Sequence, residues 1–347
     1  MDKVKLVVVG LNFGKAICEQ ILRGPGSPFL ELAGVCDVDA ARVEAAGREL
    51  GVRAYASLEQ VLADPRVEAV GLFTKPAGRA ELVRAVIRAG KHVLTTKPFE
   101  ISSEAARDVL VEARQLGRIV AINSPSATLT PDLAQVAKWR DEFDLGRPVG
   151  ARFDVWGNYF ETADGSWYDD PALCPVAPIY RIGIYTINDA VRLFGKAARI
   201  QVISSRIRTG RPTPDNAQLS ILFESGAIAS IFASFCVGDG DSYRNAMTLN
   251  FERGTVYRNI GAVQPTSHLG GSEMGLVMMV DGVRAVKAQA VLSGFNPHHA
   301  YQWDIFQRLV RGDQTPDLIT PDEVAAGIRI TEAVAVAQFA GGVADIK

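Results

Sequence analysis

Apolar and polar positions along the chain follow two regimes that change near residue 123. Up to there, short unbroken apolar runs alternate with stretches whose apolar residues recur at three- and four-residue spacing. Leu6 to Val9 is continuous and valine-rich, the pattern of a parallel strand covered on both faces. A glycine turn, Gly10-Leu11-Asn12-Phe13-Gly14, leads into helical spacing from Lys15 to Leu22. The rhythm repeats with strands expected at Leu30 to Val35, Val52 to Tyr55, Ala69 to Phe73, Val93 to Thr96 and Ile119 to Ile122. Helices are expected between them at Ala40 to Leu50, Leu58 to Ala63, Gly78 to Ala89 and Ala105 to Leu116. Ser57 and Ser102 stand where helix caps belong, and Gly90 and Gly117 where helices stop. Alternation of this kind winds right-handed into a doubly wound parallel sheet.

After Asn123 the period shortens. Ser124-Pro125-Ser126 reads as a linker, Leu133 to Phe143 as a helix, and Gly146 to Gly150 as a turn. Period-two strands are expected at Ala151 to Trp156, Ala198 to Arg206, Ala217 to Phe223, Ala227 to Phe235, Ala246 to Phe251 and Gly254 to Arg258. Turns such as Glu224-Ser225-Gly226 join neighbours as hairpins. Helices His299 to Val310 and Pro321 to Phe339 close the chain. Two domains follow, 1–123 and 124–347, within the reach of a 347-residue chain.

Composition narrows the functional classes. Hydrophobic residues make up 48% and charged residues 22%, as in ordinary globular proteins. A net charge of −2 points to neither nucleic acid nor an anionic membrane as partner. No apolar run reaches the roughly 20 residues that span a bilayer, and the first ten residues read as a buried strand rather than a signal peptide. Cys18, Cys36, Cys174 and Cys236 form no C-x-x-C pair, which favours reduced thiols in the cytoplasm and no metal site. His298-His299 are adjacent and cannot make an i,i+4 chelate.

Three places carry candidate chemistry. Strand, glycine turn and helix around Gly10, Asn12, Phe13 and Gly14 are the context of a dinucleotide fingerprint, with the helix N-terminus offered to a pyrophosphate. Asn12 stands where the second glycine is usual, and its tolerance of left-handed φ would let the turn form; Gly14 comes one place early for the third glycine. Asp37, ending the second strand, suits the adenosine ribose hydroxyls and would repel a 2′-phosphate, favouring NAD over NADP. Asp39 suits the cap of the next helix. The second place is Lys97, held before Pro98 at the carboxyl end of a strand, where open parallel sheets bind ligands. His92, nearby, is expected to bury its ring and bond to backbone. The third is Arg181-Ile182-Gly183-Ile184-Tyr185-Thr186-Ile187-Asn188-Asp189. At helical spacing, Arg181, Tyr185 and Asn188 share one face. The aromatic stretch Trp156, Tyr159, Phe160, Trp167 and Tyr168 precedes it. It suits either a floor for sugar C–H faces or ordinary sheet-edge core.

The pieces Val8 to Gly14, Gly34-Val35-Cys36-Asp37, Ala89 to Val93 and Thr96-Lys97-Pro98 resemble the Gfo/Idh/MocA oxidoreductases. That family includes glucose-fructose oxidoreductase and inositol dehydrogenases. The resemblance implies an N-terminal Rossmann domain and a C-terminal α+β domain with a large, open, mostly antiparallel sheet. One face of that sheet would build a homodimer or homotetramer. It implies NAD, or NADP, bound by Gly10, Asn12, Phe13, Gly14, Asp37, Thr74, Lys97 and Pro98. In the family the last motif reads Glu-Lys-Pro, and Thr96 replaces the glutamate here. Many members carry Asp, His and Asp where this chain has Arg181, Tyr185 and Asn188; tyrosine in the histidine place resembles the glucose-fructose oxidoreductase branch.

The resemblance implies an oxidoreductase moving a hydride between a nicotinamide and a sugar, polyol or related cyclic alcohol. Tyr185 would be the proton donor and acceptor, its pKa of about 10 lowered by Lys97 and Arg181. Asn188, Trp156 and Trp167 would contact substrate. Arg181 has two further readings: a bidentate partner for a substrate carboxylate, or an ion pair with Asp189 or Asp169. Two rival functions stand beside this one, a dihydrodiol-dehydrogenase-like reductase of non-sugar carbonyls and a catalytically silent nucleotide or sugar sensor.

Overall fold

The computed structural model describes residues 1–240, 243–261, 271–293, 301–315 and 317–346. They form two compact units, Met1–Thr128 with Tyr301–Asp322, and Leu129–Ala300 with Glu323–Lys347. Where the sequence suggests a single cut after Asn123, the first unit runs to Thr128 and takes back the segment from Tyr301 to Asp322. Ser124 and Ser126 lie buried in the first unit rather than in an exposed linker, which corrects the reading of 124–126.

In the first unit, β1 (Val4–Val9), β2 (Leu30–Cys36), β3 (Arg53–Tyr55), β4 (Ala69–Leu72), β5 (His92–Thr95) and β6 (Val120–Ile122) form one parallel sheet in the order β3-β2-β1-β4-β5-β6. The strands are valine-rich because helices cover both faces; Val4, Leu6, Val7 and Val8 of β1 are each 0% exposed. The helices between them are α1 (Leu11–Leu22), α2 (Ala40–Leu50), α3 (Leu58–Ala63), α4 (Arg79–Arg88) and α5 (Ser103–Gln115). Asp39, Ser57 and Ser102 cap α2, α3 and α5 through side-chain oxygens. The helix Trp303–Val310 adds Trp303 and Phe306 to this core.

The second unit holds α6 (Pro131–Glu142), a π-turn at Ile179–Gly183, α7 (Ile184–Phe194) and nine strands. These are β7 (Pro148–Trp156), β8 (Ala197–Ser205), β9 (Asn216–Phe223), β10 (Ile228–Ser234), β11 (Arg244–Phe251), β12 (Gly254–Arg258), β13 (Gly271–Val280), β14 (Val283–Ser293) and β15 (Val343–Asp345). Their order is β14-β13-β12-β11-β7-β10-β9-β8-β15, antiparallel except where β10 runs parallel to β7. One face carries Phe153, Val155, Leu219, Ile221 and Ile231 into a core shared with α7 and the helix Pro321–Phe339.

Three differences from the sequence reading have local causes. Residues 148–150, expected in a turn, begin β7 because Gly150 pairs with Ile228 of β10. The hairpin β13–β14 was not expected; its signal is Asp281-Gly282, both at positive φ, between alternating positions. The predicted helix from His299 starts at Trp303, and His298-His299 lie outside the described residues. Among the described residues, no helix is long and apolar enough to cross a membrane.

His92 opens β5, and its Nδ1 accepts the Ile119 N–H at 3.0 Å, the backbone bond the sequence suggested. Burial, joined by the Arg118 charge, pushes the imidazole from its usual 6.5 down to about 4. The folded state therefore holds His92 neutral where the unfolded chain protonates it. Its contribution to stability is present above pH 6.5 and is lost as pH falls through that window towards 4. Urea midpoints measured across that range should fall more steeply for the wild type than for His92→Asn, which keeps an acceptor and removes the titration.

Candidate active site

Five strands of the first unit end side by side, and within two residues of each end comes a polar residue or glycine. Gly10 follows β1, Asp37 follows β2, Thr74 lies just past β4, Lys97 just past β5 and Asn123 follows β6. The sheet order reverses between β1 and β4, so Gly10 and Thr74 flank the switch point where such sheets take ligands.

Gly10 sits at φ +89°, and an added Cβ would lie 2.8 Å from the Phe73 carbonyl oxygen. No other residue fits that turn. The chain enters α1 at once, so Asn12 is an ordinary right-handed helical residue and not the left-handed one expected. The early start also explains the position of Gly14. A Cβ there would meet Val8 Cγ1 at 2.8 Å, so Gly14 provides the close helix–strand packing of a third fingerprint glycine. Asn12 and Phe13 are exposed in the first turn of α1, where a helix has no carbonyls of its own for its N–H groups. The Phe13 ring meets Phe73 edge-on at 6.0 Å.

Asp37 Oδ2 accepts the Leu11 N–H at 2.6 Å and Oδ1 the Asp39 N–H at 3.0 Å, with the Arg42 guanidinium at 3.4 Å. Burial works to raise this carboxyl, but the two N–H groups and Arg42 outweigh it and hold it below the usual carboxylate range. Asp37 thus ties the end of β2 to the start of α1 and remains charged beside the helix N-terminus. These groups fit a dinucleotide: a glycine-only turn, a first helical turn open to an anion, and a fixed carboxylate at the next strand end.

Lys97 is half-buried and precedes a cis peptide to Pro98. Its N–H donates to Asn123 Oδ1 at 2.9 Å, and Thr96 Oγ1 reaches the same oxygen at 3.3 Å. Asn123 therefore fixes the Lys97 backbone from the neighbouring strand, a role that nothing in its sequence position signals.

In the second unit Tyr185 and Asn188 are each 5% exposed on α7. Arg181 lies in the π-turn before it, so the uniform i, i+4, i+7 face expected for the three residues is broken between Arg181 and Tyr185. Arg181 pairs with Glu161 at 2.5 and 2.8 Å, a partner the sequence reading did not name, while Asp169 pairs with Arg211. The Arg181 guanidinium is boxed by the rings of Tyr168 at 4.2 Å, Phe235 at 4.7 Å and Tyr159 at 5.8 Å. Its charge is matched by Glu161, whose carboxyl the Arg181 bonds hold below the usual range despite burial. Arg211 gathers Glu161, Asp164 and Asp169, and so pins the loop that carries Phe160 and Trp167. Trp156 donates its indole N–H to Asp239 at 3.1 Å, and Trp167 packs against the core with Tyr168.

In the same unit, Arg258 and Asp132 form an ion pair whose side chains are 0% and 1% exposed. Asp189 lies nearby. Burial pushes its carboxyl above the usual range, the Asp132 charge adds to this, and Arg258 and Arg192 oppose it. Neither Arg258 nor Asp132 was legible from spacing, since 126 residues separate them.

A model described as "Oxidoreductase family, NAD-binding Rossmann fold" matches residues 4–124, and one described as "GFO/IDH/MocA C-terminal domain" matches 133–257. The chain is 26% identical over 225 residues to the uncharacterized oxidoreductase YdgJ of Escherichia coli (strain K12), covering 62% of this chain and 60% of that protein. It is 26% identical over 303 residues to D-xylose 1-dehydrogenase (NADP(+)) 2 of Haloferax volcanii, covering 85% and 86%. Among solved structures, a putative NADPH-dependent oxidoreductase from Desulfitobacterium hafniense DCB-2 superposes with a TM-score of 0.79 at 16% identity, covering 100% and 98%.

Asn188 packs against Gly327 of the closing helix so closely that a Cβ at Gly327 would collide with its carboxamide. Gly327→Ala should cost about 1–3 kcal/mol through overpacking. Adding Asn188→Ala should return part of that loss, which a double-mutant cycle by urea denaturation will read as a coupling.

Proposed function

From the premise that the chain belongs to the Gfo/Idh/MocA oxidoreductase family, we propose that it is an NAD-dependent dehydrogenase of a sugar, polyol or related cyclic alcohol. The observation that carries this reading is the row Gly10, Asp37, Thr74, Lys97 and Asn123 along the carboxyl ends of neighbouring strands. The relative from Haloferax volcanii, named for xylose, supports the substrate class. That name also specifies NADP(+); the charged Asp37 is our reason for preferring NAD, because it would repel a 2′-phosphate.

The first turn of α1 holds the pyrophosphate through the N–H groups of Asn12, Phe13 and Gly14, and Asp37 takes the adenosine ribose. Thr74 and Pro98 flank the nicotinamide end. When bound, the nicotinamide supplies the hydride chemistry. Tyr185 has the role of proton acceptor in this reading, and Lys97 that of a polarising cation. Arg181, paired with Glu161, is left out of this scheme. Asn188 orients a neighbouring hydroxyl, and Trp156 and Trp167 flank the sugar ring. Arg181 acts on the substrate side only by fixing the wall made of Glu161, Tyr159 and Tyr168.

We also place a second copy of the chain on the open face of the nine-stranded sheet. Ile203, Leu222, Ile228 and Phe232 share that face by register, with Ile203 66% and Ile228 57% exposed. The four free cysteines suit the reducing cytoplasm.

A panel of pentoses, hexoses and inositols, followed by NADH absorbance, tests the activity. Tyr185→Phe and Lys97→Met should each lower kcat by about 10²–10⁴ while NADH still binds; turnover equal to wild type in both would remove them from the chemistry. Absence of NADH formation with every alcohol, alongside tight NADH binding, would point to a sensor. Light scattering on Ile228→Asp should show a smaller assembly than the wild type.

A further inference from the structure

Arg79, the first residue of α4, is 1% exposed, although its place at a helix start predicts a solvated side chain. Its guanidinium donates to the Thr74 carbonyl in the loop after β4. It also donates to the carbonyls of Thr96 at 2.7 Å, Pro98, and Phe99 at 3.2 Å in the loop after β5. The adjacent turn is closed by Glu100, 3% exposed, whose carboxylate accepts N–H groups of Gly78 at 3.3 Å, Ala80 at 2.8 Å and Ile101 at 2.7 Å. One buried cation and one buried anion thus lace together the backbones on either side of Lys97 and Thr74.

A buried guanidinium is a costly filler, and an apolar side chain would complete a sheet core at less cost. What only arginine provides is a planar fork of five donors that serves several carbonyls from two segments at once. The carbonyls it serves belong to the two loops that bear Thr74 and Lys97. We infer that Arg79 is a positioning residue: it fixes the separation of the Thr74 and Lys97 backbones, and through them the place of the Lys97 amine and the nicotinamide end of the dinucleotide. This rests on the role given to Lys97 above. Arg79 touches neither substrate nor cofactor.

The test compares full-length wild type, Arg79→Lys and Arg79→Ala. Lysine keeps the charge and can satisfy some of the carbonyls, but without the fork that spans both loops. Arg79→Lys should fold, lower kcat by about 10²-fold, the scale of an ångström misplacement, and weaken NADH binding in a fluorescence titration. Its backbone amides at Thr74 to Ala80 and Lys97 to Glu100 should exchange faster with deuterium, while those of β1 and β2 keep their protection. A folded Arg79→Lys with wild-type kcat, NADH affinity and loop exchange would overturn the inference and leave Arg79 a packing residue. If Arg79→Ala fails to fold, the lysine variant decides alone. A wild type that binds no dinucleotide would instead remove the functional reading, and the inference with it; a competent wild type matched by Arg79→Lys removes the inference only.

Discussion

The closeness of two backbones, Gly10 against the carbonyl of Phe73, governs the first unit. With no room for a Cβ, the chain leaves β1 at positive φ and begins α1 in the next residue. That start sets the helix against β1 with Gly14 over Val8, and brings the Leu11 N–H within reach of Asp37. A carboxylate held by two backbone N–H groups then stands beside the positive end of a helix, which favours charge there at every pH near neutrality. One steric constraint therefore fixes the glycine turn, the helix packing and the position of the Asp37 carboxylate together.

The second unit is organised by buried charge. Arg258 and Asp132 are both removed from water, and Arg258 also bonds Asn245, whose neighbour chain runs through Asn259 to Ser272. The desolvation of both ions offsets much of their attraction, whereas removing one partner alone would leave a buried charge unmatched. Asp189, on the helix that carries Tyr185 and Asn188, feels both ions: Asp132 adds to the rise that burial causes in its carboxyl, and Arg258 opposes it.

Much of this was legible in the sequence. The doubly wound sheet followed from unbroken valine runs alternating with helical spacing, and the strand-end placement of Asp37, Thr74 and Lys97 followed with it. What the sequence hid was set by tertiary contact. Asn12 offered a plausible left-handed turn residue, but Gly10 had already made the turn. Arg181 was expected to meet Asp169 or Asp189 by proximity along the chain; Glu161 reaches it because a loop folds back over three aromatic rings. A single π-turn shifted the helical face, and periodicity cannot register one extra residue in a turn. The hairpin β13–β14 does carry a local signal, the Asp281-Gly282 pair at positive φ.

Arg211 clasps Glu161, Asp164 and Asp169, so the loop from Tyr159 to Asp169 is anchored at three points along its length. Phe160 stands one residue before the first of those anchors and is 73% exposed. Its backbone is held by the residue beside it, while its ring is unconstrained by the core. Substitutions at 160 can therefore vary the surface chemistry of the loop without loosening the clasp.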